Sequence, residues 1–304
     1  MNPPTAKTYL APWPNDRTSL AIQFQITAMA ADIYEIGLFN PDAGPTKPVM
    51  IPRVWAAETI LKSIPWLRLQ NRDGRNIYVR PRGEHNLSLV DDLSRDAVAN
   101  MKAEGFNPAV VVETSPNNFQ AWLKHRERLT KLESTGAARA LAKKFGGDNA
   151  AADWRHFGRL VGFTNRKAKY LDAATGLYPF VRLVEADGGI YPEADRFLAG
   201  VKDDVQRQNA ERERMRKQNA SVAPALPNDM KSIDTFRSDS RYGGDGTRID
   251  LAYAVYAFAR GASPREVAAA LRSRDLSHKG AERRQNDYIE RTIKKALTTV
   301  GRGR

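Results

Sequence analysis

Residues 87–93 read Leu-Ser-Leu-Val-Asp-Asp-Leu, an apolar segment that ends in two adjacent carboxylates. The pattern predicts a strand over residues 87–90 with Asp91 and Asp92 at its end. Two crowded carboxylates repel each other, so they are readily kept together only by a divalent cation or a basic partner. On this motif alone, an ordinary turn before a helix capped by Ser94 is favoured. Successive strand residues point to opposite faces, so both aspartates can reach one ion only where the strand bends.

The next apolar segment along the chain also runs into polar residues. Residues 109–120 read Ala-Val-Val-Val-Glu-Thr-Ser-Pro-Asn-Asn-Phe-Gln, which predicts a buried strand followed by a polar turn. The hydroxyls of Thr114 and Ser115 and the backbone amides there suit a phosphate, and Gln120 can hydrogen-bond a base, sugar or phosphate. Taken alone, the segment is better explained as a turn in which Pro116 starts the next helix.

A basic and aromatic stretch follows at residues 154–170, which hold five Lys or Arg, four aromatic residues and no acidic residue. Basic side chains contact phosphates while aromatic faces stack on bases, a combination typical of single-strand or nucleotide sites. A solvated surface with aromatic residues in the core is the alternative on composition alone. For His156 within this stretch, phosphate contact and structural hydrogen bonding both remain open.

Charge and composition narrow the function classes. The 304 residues carry a net charge of +13, and both residues 1–200 and residues 201–304 contribute to the basic excess, which favours a polyanionic partner such as nucleic acid. The absence of cysteine excludes a thiol nucleophile and a thiolate zinc site. No P-loop motif, Gly-x-Ser-x-Gly elbow or His-x-His pair occurs, which disfavours a P-loop helicase, an elbow hydrolase and a relaxase with paired histidines. With no long apolar run, we expect a cytoplasmic protein without a membrane partner.

Hydrophobic periodicity predicts an α/β domain followed by helices. The expected helices cover residues 17–31, 56–64, 95–104, 119–145 with a break near Gly136, and 193–219; the expected strands cover residues 32–39, 49–54, 77–80, 87–90, 109–112 and 180–185. Three apolar stripes after residue 250 predict a small helical bundle. The expected domains are residues 1–200, a charged connecting helix over 201–230, and the bundle over 231–304.

Together, these segments resemble a known family. The likeness lies in residues 77–81, 89–93, 111–116, 155–160, 162–167 and 287–292, which read Ile-Tyr-Val-Arg-Pro, Leu-Val-Asp-Asp-Leu, Val-Val-Glu-Thr-Ser-Pro, Arg-His-Phe-Gly-Arg-Leu, Gly-Phe-Thr-Asn-Arg-Lys and Asp-Tyr-Ile-Glu-Arg-Thr. In this order they resemble the archaeo-eukaryotic primase superfamily, and specifically the RepB-type primases of IncQ-like mobilisable plasmids. Six collinear segments are far more specific than any one of them.

The resemblance implies an α/β fold in which an RRM-like catalytic domain precedes a small all-helical bundle. It implies a DNA primase of a plasmid or mobile element that makes short primers on single-stranded DNA with two Mg²⁺ or Mn²⁺ ions. Asp91 and Asp92 match the paired acidic motif, and Asp148 matches the third metal-binding acid. The expected nucleotide- and template-binding residues are Thr114, Ser115, Gln120, Arg155, His156, Arg159, Asn165, Arg166 and Lys167. Gln120 stands where the family often has a histidine.

The expected partners are nucleoside triphosphates, a single-stranded template, an origin hairpin, and helicase or initiator proteins of the same element. Two other functions compete with primer synthesis. A non-catalytic initiator module would bind an origin hairpin through the basic tail, and a nuclease using the same carboxylates would release nucleotides. Intact Asp91, Asp92 and Asp148 weigh against the initiator module. For the helical bundle, contact with the template or the initiating nucleotide is as well supported as simple stabilisation or contact with a partner.

Overall fold

The computed structural model describes residues 16–41, 50–222, 230–274, 276, 279–280 and 282–302. The chain divides into two units, Met1–Val205 and Gln206–Arg304. The boundary lies within the long charged helix that was expected to connect the domains. Residues 223–229 of that expected connecting segment lie outside the described residues.

Among the described residues of the first unit, eight strands form two antiparallel sheets. They are β1 (Ile33–Phe39), β2 (Ile51–Ala56), β3 (Asn76–Pro81), β4 (Leu87–Leu93), β5 (Val110–Ser115), β6 (Asn118–Lys124), β7 (Gly158–Arg159) and β8 (Arg182–Glu185). The first sheet has the order β2-β1-β3-β7, and the second has the order β4-β6-β5-β8. The expected pairing of β1 with the segment near residue 50 is confirmed, although residue 49 lies outside the described residues.

In the same described part of the chain, six α-helices accompany these strands. They are α1 (Arg17–Met29), α2 (Ala57–Lys62), α3 (Ile64–Arg72), α4 (Arg95–Ala103), α5 (Lys131–Phe145) and α6 (Ala194–Val222), the last of which crosses the unit boundary. Local chemistry sets several of their ends. The Ser94 hydroxyl accepts the backbone N–H of Ala97 at the start of α4, as the sequence predicts, and Thr130 and Glu133 form a capping box on α5.

The second sheet is covered on both faces. Val110, Val112 and Trp122 pack into a core shared with the first sheet, whereas Val111 and Leu123 pack with α4 and α5 on the other side. The first sheet buries alternate residues in the shared core and leaves the others on its opposite face. That opposite face contributes to the functional site.

The helix expected over residues 119–145 is wrong in its first part. Residues 118–124 form β6, and the helix begins only at Lys131. Because β6 is buried on both faces, it lacks the alternation that marks a half-exposed strand. The expected helix start at Pro116 is likewise wrong, because Pro116 lies in the hairpin turn between β5 and β6. The expected break near Gly136 is also wrong, since α5 runs through it where side chains of Val201 and Val205 pack closely against the helix.

The second unit is helical in the residues that the structure describes. Its helices after α6 are α7 (Ile233–Arg237), α8 (Gly246–Ala259), α9 (Pro264–Arg272) and α10 (Glu282–Arg302). The Ser263 side chain caps α9, whose first residue is Pro264, as the sequence predicts. An ion pair between the buried Asp250 and the partly buried Arg274 joins α8 to the segment after α9, and the Tyr288 hydroxyl donates to the same carboxylate at 2.7 Å.

An α/β unit followed by a helical unit confirms the predicted fold class. Among the described helices, none is both long enough and apolar enough to cross a membrane.

Candidate nucleotide and metal site

A cavity of about 660 Å³ lies in the first unit, where residues from both sheets and from the loop after α5 meet. It brings together most of the site residues predicted from the sequence. Those that line it are Asp91, Asp92, Thr114, Gln120, Asp148, Arg155, His156, Arg159, Asn165 and Lys167.

The two other predicted site residues do not line this cavity. Ser115 is buried at the end of β5. The Arg166 side chain contacts other residues: its guanidinium lies 4.2 Å from the centroid of the Tyr178 ring and donates to the carbonyl of Arg72.

A distortion of β4 presents the paired aspartates. The pairing of β4 with β6 shifts register between Val90 and Leu93, and Asp92 between them has a φ of 62°, in the left-handed region. The strand therefore bends at the place where a bend is needed for both carboxylates to reach one ion. Left-handed backbone is uncommon for a residue with a side chain, and aspartate is among the residues that tolerate it best.

The backbone of the third aspartate, Asp148, is hydrogen-bonded to β4. The Asp148 N–H donates to the carbonyl of Asp91 at 3.0 Å, directly after Gly147. A Cβ on Gly147 would lie 2.6 Å from Val90 Cγ1 and 2.8 Å from the Asp91 carbonyl oxygen. Only glycine permits this approach, so the residue before Asp148 helps to bring the third carboxylate to the cavity.

Two side chains hold the Asp91 carboxylate. Gln120 donates from Nε2 to Oδ1 at 2.8 Å, and Nε2 of His156 lies 3.2 Å from Oδ2. Burial on its own raises the pKa of Asp91, but the hydrogen bonds from His156 and Gln120 outweigh it and hold the pKa below the ordinary value. The carboxylate at this end of the cavity is therefore ionised at neutral pH.

Gln120 is fully engaged with the protein. Its side chain is 3% exposed, and Oε1 accepts the backbone N–H of Arg159 at 2.7 Å while Nε2 holds Asp91. Gln120 lies on β6 of the second sheet and Arg159 lies on β7 of the first. The side chain thus joins the two sheets beside the cavity, an arrangement that the sequence pattern did not suggest.

Arg159 provides a buried positive charge in the cavity that the aspartates line. It is 3% exposed, its guanidinium lies 4.4 Å from the centroid of the Tyr78 ring, and Nη2 donates to Asn165 Oδ1 at 2.9 Å. Nη1 is buried and has no hydrogen-bond partner in the structure. Burial lowers the pKa of Arg159, whereas nearby Tyr78 and Asp91 act to raise it. A buried donor without a partner is costly unless a ligand satisfies it.

The aspartates supply the kind of donor that Mg²⁺ and Mn²⁺ prefer, namely carboxylate oxygen. Each carboxylate already accepts a hydrogen bond from the protein: Asp92 from Asn118, and Asp148 from the backbone N–H of Ala150. Within the described ranges, no three Asp, Glu or His side chains are gathered closely enough to hold one ion. The donor chemistry fits a divalent ion, and coordination requires these side chains to exchange their present partners.

Several cavity residues were not predicted as site residues. They are Phe39, Met50, Tyr78, Asn118, Asp153, Phe157, Lys169 and Tyr170. Phe157, Lys169 and Tyr170 belong to the basic and aromatic stretch, whose composition indicated a site without assigning them a role. Phe39 and Met50 come from the first hairpin, far from any recognised motif, and no local sequence signal marks them.

Known proteins share this arrangement of sequence and fold. The model of the RepB DNA-primase N-terminal domain matches residues 50–208. Mobilization protein A of Escherichia coli is 36% identical over 299 residues, which cover 94% of this chain and 41% of that protein. This chain therefore spans less than half the length of that relative. A DNA primase of Acidithiobacillus ferrooxidans is 28% identical over 268 residues, covering 82% of this chain and 75% of that protein.

Two solved structures are also similar. The crystal structure of primase RepB′ matches with a TM-score of 0.61 and 34% identity, covering 92% of this chain and 94% of that one. The catalytic domain of primase RepB′ in complex with initiator DNA matches with a TM-score of 0.59 and 38% identity, covering 64% of this chain and 98% of that one. The family model, the relatives and the shared fold confirm the resemblance drawn from the sequence motifs. The chain belongs to the RepB DNA-primase family, whose N-terminal domain model matches residues 50–208.

Proposed function

We propose that this chain is a DNA primase that makes short primers on single-stranded DNA during replication of a plasmid or mobile element. The observation that carries the proposal is a single cavity lined by Asp91, Asp92 and Asp148 and by the buried, incompletely paired guanidinium of Arg159. Family membership supports primer synthesis over other uses of such a cavity. The proposed reaction joins a nucleotide 3′-hydroxyl to the α-phosphate of a nucleoside triphosphate and releases pyrophosphate.

The three aspartates would hold two Mg²⁺ or Mn²⁺ ions. Such ions, when bound, activate the attacking oxygen and neutralise charge on the phosphates. Gln120 and His156 orient the Asp91 carboxylate toward the cavity through the hydrogen bonds described above. The bend of β4 sets Asp92 beside it, and the contact of Asp148 with the Asp91 carbonyl fixes the third acid.

The basic side chains would receive the nucleotide and template phosphates. Arg159 is held in place by Asn165, and the side-chain amide of Asn165 in turn donates to the carbonyl of Thr114 at 2.8 Å. The unpartnered Nη1 of Arg159 would donate to a phosphate oxygen, as guanidinium groups do at phosphoryl-transfer sites. Arg155 and Lys167 add positive charge around the same cavity. The proposed partners are single-stranded template, including an origin hairpin, and other replication proteins of the element.

The proposal is tested by primer synthesis on circular single-stranded DNA with labelled nucleotides and Mg²⁺ or Mn²⁺. Wild type is compared with Asp91→Asn and Asp148→Asn. Asp195→Asn, which changes an exposed carboxylate paired with Arg126 outside the cavity lining, is the control. We expect short products from wild type and the control and none from the two cavity variants.

Each alternative has its own outcome in this experiment. DNA binding without any product, on several templates, would favour the non-catalytic initiator module. Release of nucleotides from the template, lost in both cavity variants, would favour a nuclease that uses the same carboxylates.

A further inference from the structure

The face of the first sheet that is turned away from the shared core forms one side of the cavity. Gly37 of β1 pairs with Tyr78 of β3, and Tyr78 pairs with Arg159 of β7. Directly paired residues of neighbouring strands point to the same face, so these three positions form a row across the sheet. Phe39, two residues beyond Gly37, lies on the same face and lines the cavity.

The missing side chain of Gly37 leaves room for two apolar groups on this face. A Cβ built on Gly37 would lie 2.5 Å from Met50 Sδ and 3.2 Å from Phe157 Cε1. Met50 and Phe157 therefore lie directly on the backbone of β1. Together with Phe39 and Tyr78 they form what we call the apolar patch, and all four line the cavity.

The apolar patch is open to the cavity, because each of its four residues is partly exposed. Guanidinium groups contact two of its rings: Arg159 lies 4.4 Å from the centroid of Tyr78, and Arg80 lies 4.2 Å from the centroid of Phe157. Neither divalent ions nor phosphates need apolar surface. A cavity with carboxylates, an incompletely paired arginine and exposed rings suits a ligand that is both polyanionic and flat.

We propose that the apolar patch receives the base of the incoming nucleoside triphosphate. The proposal rests on the function proposed above and adds a subsite to it. A phosphate bound at Arg159 lies next to Tyr78, because the guanidinium stacks on that ring, and the rest of the nucleotide then extends over the neighbouring patch. Stacking on aromatic rings and on Met tolerates all four bases, as primer synthesis on varied templates requires.

The test measures equilibrium binding without template DNA. The fluorescent probe is 2-aminopurine riboside triphosphate with Mg²⁺, and the competitors are ATP, GTP and inorganic tripolyphosphate. Met50→Ala and Phe157→Leu remove part of the apolar patch, whereas the control Met50→Leu keeps most of its surface. We expect the two disruptive variants to bind ATP and GTP about tenfold more weakly, in line with the loss of base stacking. Their affinity for tripolyphosphate, which has no base, should equal that of wild type.

Gly37→Ala gives an independent variant, because its methyl group must displace Met50. We expect the same selective loss of ATP and GTP binding, with thermal unfolding measured in parallel to establish that the variant is folded. Equal weakening of ATP and tripolyphosphate in the folded variants would overturn the apolar patch as a base subsite.

A second arm compares templates that carry either a base or an abasic site at the priming position. If the patch variants keep the wild-type ratio of ATP to tripolyphosphate affinity but no longer distinguish the templates, the patch binds the template base and the proposal is overturned. If wild type binds neither ATP nor tripolyphosphate, the proposed function fails as well. If the patch variants synthesise primers and keep the wild-type ratio of ATP to tripolyphosphate affinity, the base subsite is overturned while the proposed function stands.

Discussion

At the scale of single residues, Gln120 shows how a side chain with a predicted ligand-binding role serves the protein itself. Its amide is buried, and both of its ends are occupied by Asp91 and by the backbone of Arg159. From this geometry we expect Gln120 to act through Asp91, with no direct contact to the nucleotide. Partners of this kind orient a ligand side chain, and their loss commonly weakens metal binding or activity by about 10- to 100-fold.

Gln120→Leu should therefore lower the affinity for Mn²⁺, measured by electron paramagnetic resonance of the free ion, by at least about tenfold. The matched control is Gln25→Leu. Gln25 is also a fully buried glutamine, and it bonds the backbone of Arg159 and Val161 without touching a carboxylate. Both variants should lose stability, since each leaves buried backbone groups unpaired. Equal Mn²⁺ affinities in the two variants would refute a positioning role for Gln120.

Asp92 is expected to provide a carboxylate for metal binding, and its backbone adopts a left-handed conformation. Two substitutions can separate these roles. The φ of 62° at Asp92 suits asparagine at least as well as aspartate but opposes a β-branched side chain. We expect Asp92→Asn to unfold at nearly the wild-type denaturant concentration and Asp92→Val to lose about 1–2 kcal/mol of unfolding free energy. Both should fail in primer synthesis because both lack the carboxylate. Equal stability of the two variants would show that the left-handed backbone at this position carries no strain.

At the scale of elements, sequence pattern predicted best where a strand or helix has one exposed face or a clear cap. The helix capped by Ser94 and the first hairpin are such cases. It failed at β6, because this strand is buried on both faces and, unlike β5 with its three valines, contains no β-branched residue that would distinguish it from an apolar helix segment. The acidic side of the site was predictable because Asp91 and Asp92 are adjacent in sequence. The apolar patch was not, since its four members come from separate segments that only the fold brings together.

The contact between the second sheet and the segment before α6 contains a titratable group. His125 at the end of β6 is fully buried, and its ring nitrogens lie 2.8 Å from the Ser88 hydroxyl and 3.1 Å from the Tyr191 hydroxyl. Burial lowers the pKa of His125 to about 4, with a smaller contribution from the charge of His85. The histidine is therefore neutral in the folded protein at pH 7.

The sign of the resulting pH dependence follows from the unfolded pKa of 6.5, which exceeds the folded value of about 4. Below pH 6.5, His125 becomes protonated in the unfolded chain but stays neutral in the folded protein. The free energy of unfolding therefore falls as the pH drops from 6.5 towards 4. The slope contributed by His125 is at most about 1.4 kcal/mol per pH unit. We expect His125→Gln to flatten the curve of unfolding free energy against pH over this range. An unchanged slope in that variant would assign the acid sensitivity to other groups.

At the scale of the whole molecule, two units with separate cores predict separable unfolding. The helical unit has its own apolar core and the ion pair of Asp250 and Arg274, whereas the described residues that line the cavity all belong to the α/β unit. Asp250 is fully buried and Arg274 is 17% exposed, so loss of the carboxylate leaves a largely buried guanidinium and the Tyr288 hydroxyl without their partner, at a cost approaching that of a broken buried ion pair, about 3–5 kcal/mol. Asp250→Ala should therefore unfold the helical unit selectively.

Hydrogen exchange measures this prediction directly. In Asp250→Ala, amides of α8 and α10 should lose protection while those of β4, β5 and β6 keep it. Asp234→Ala is the control, since it removes an exposed partner of Arg237 in the same unit and should cost less than about 1 kcal/mol. Parallel loss of protection in both units would show that they unfold together.

The net charge of +13 makes a prediction about DNA binding as a whole. If phosphate contacts dominate, the logarithm of the affinity for single-stranded DNA should fall linearly with the logarithm of salt concentration. Lys167→Gln should reduce that slope by about one. The control is Lys62→Gln, which changes an exposed lysine paired with Glu58 outside the cavity lining. An affinity that stays flat between low and physiological salt would contradict a phosphate-led interaction.

The backbone contact between Asp148 and Asp91 also has a consequence for protein synthesis. The ribosome makes Asp91 and Asp92 first, and β4 needs β6 before it can pair, whereas Asp148 and Arg159 emerge only later. A nascent chain that has not reached Asp148 holds two of the three acids and lacks the arginine that faces them. The site is therefore completed only after most of the α/β unit has been made, and chains that terminate before Arg159 cannot assemble it.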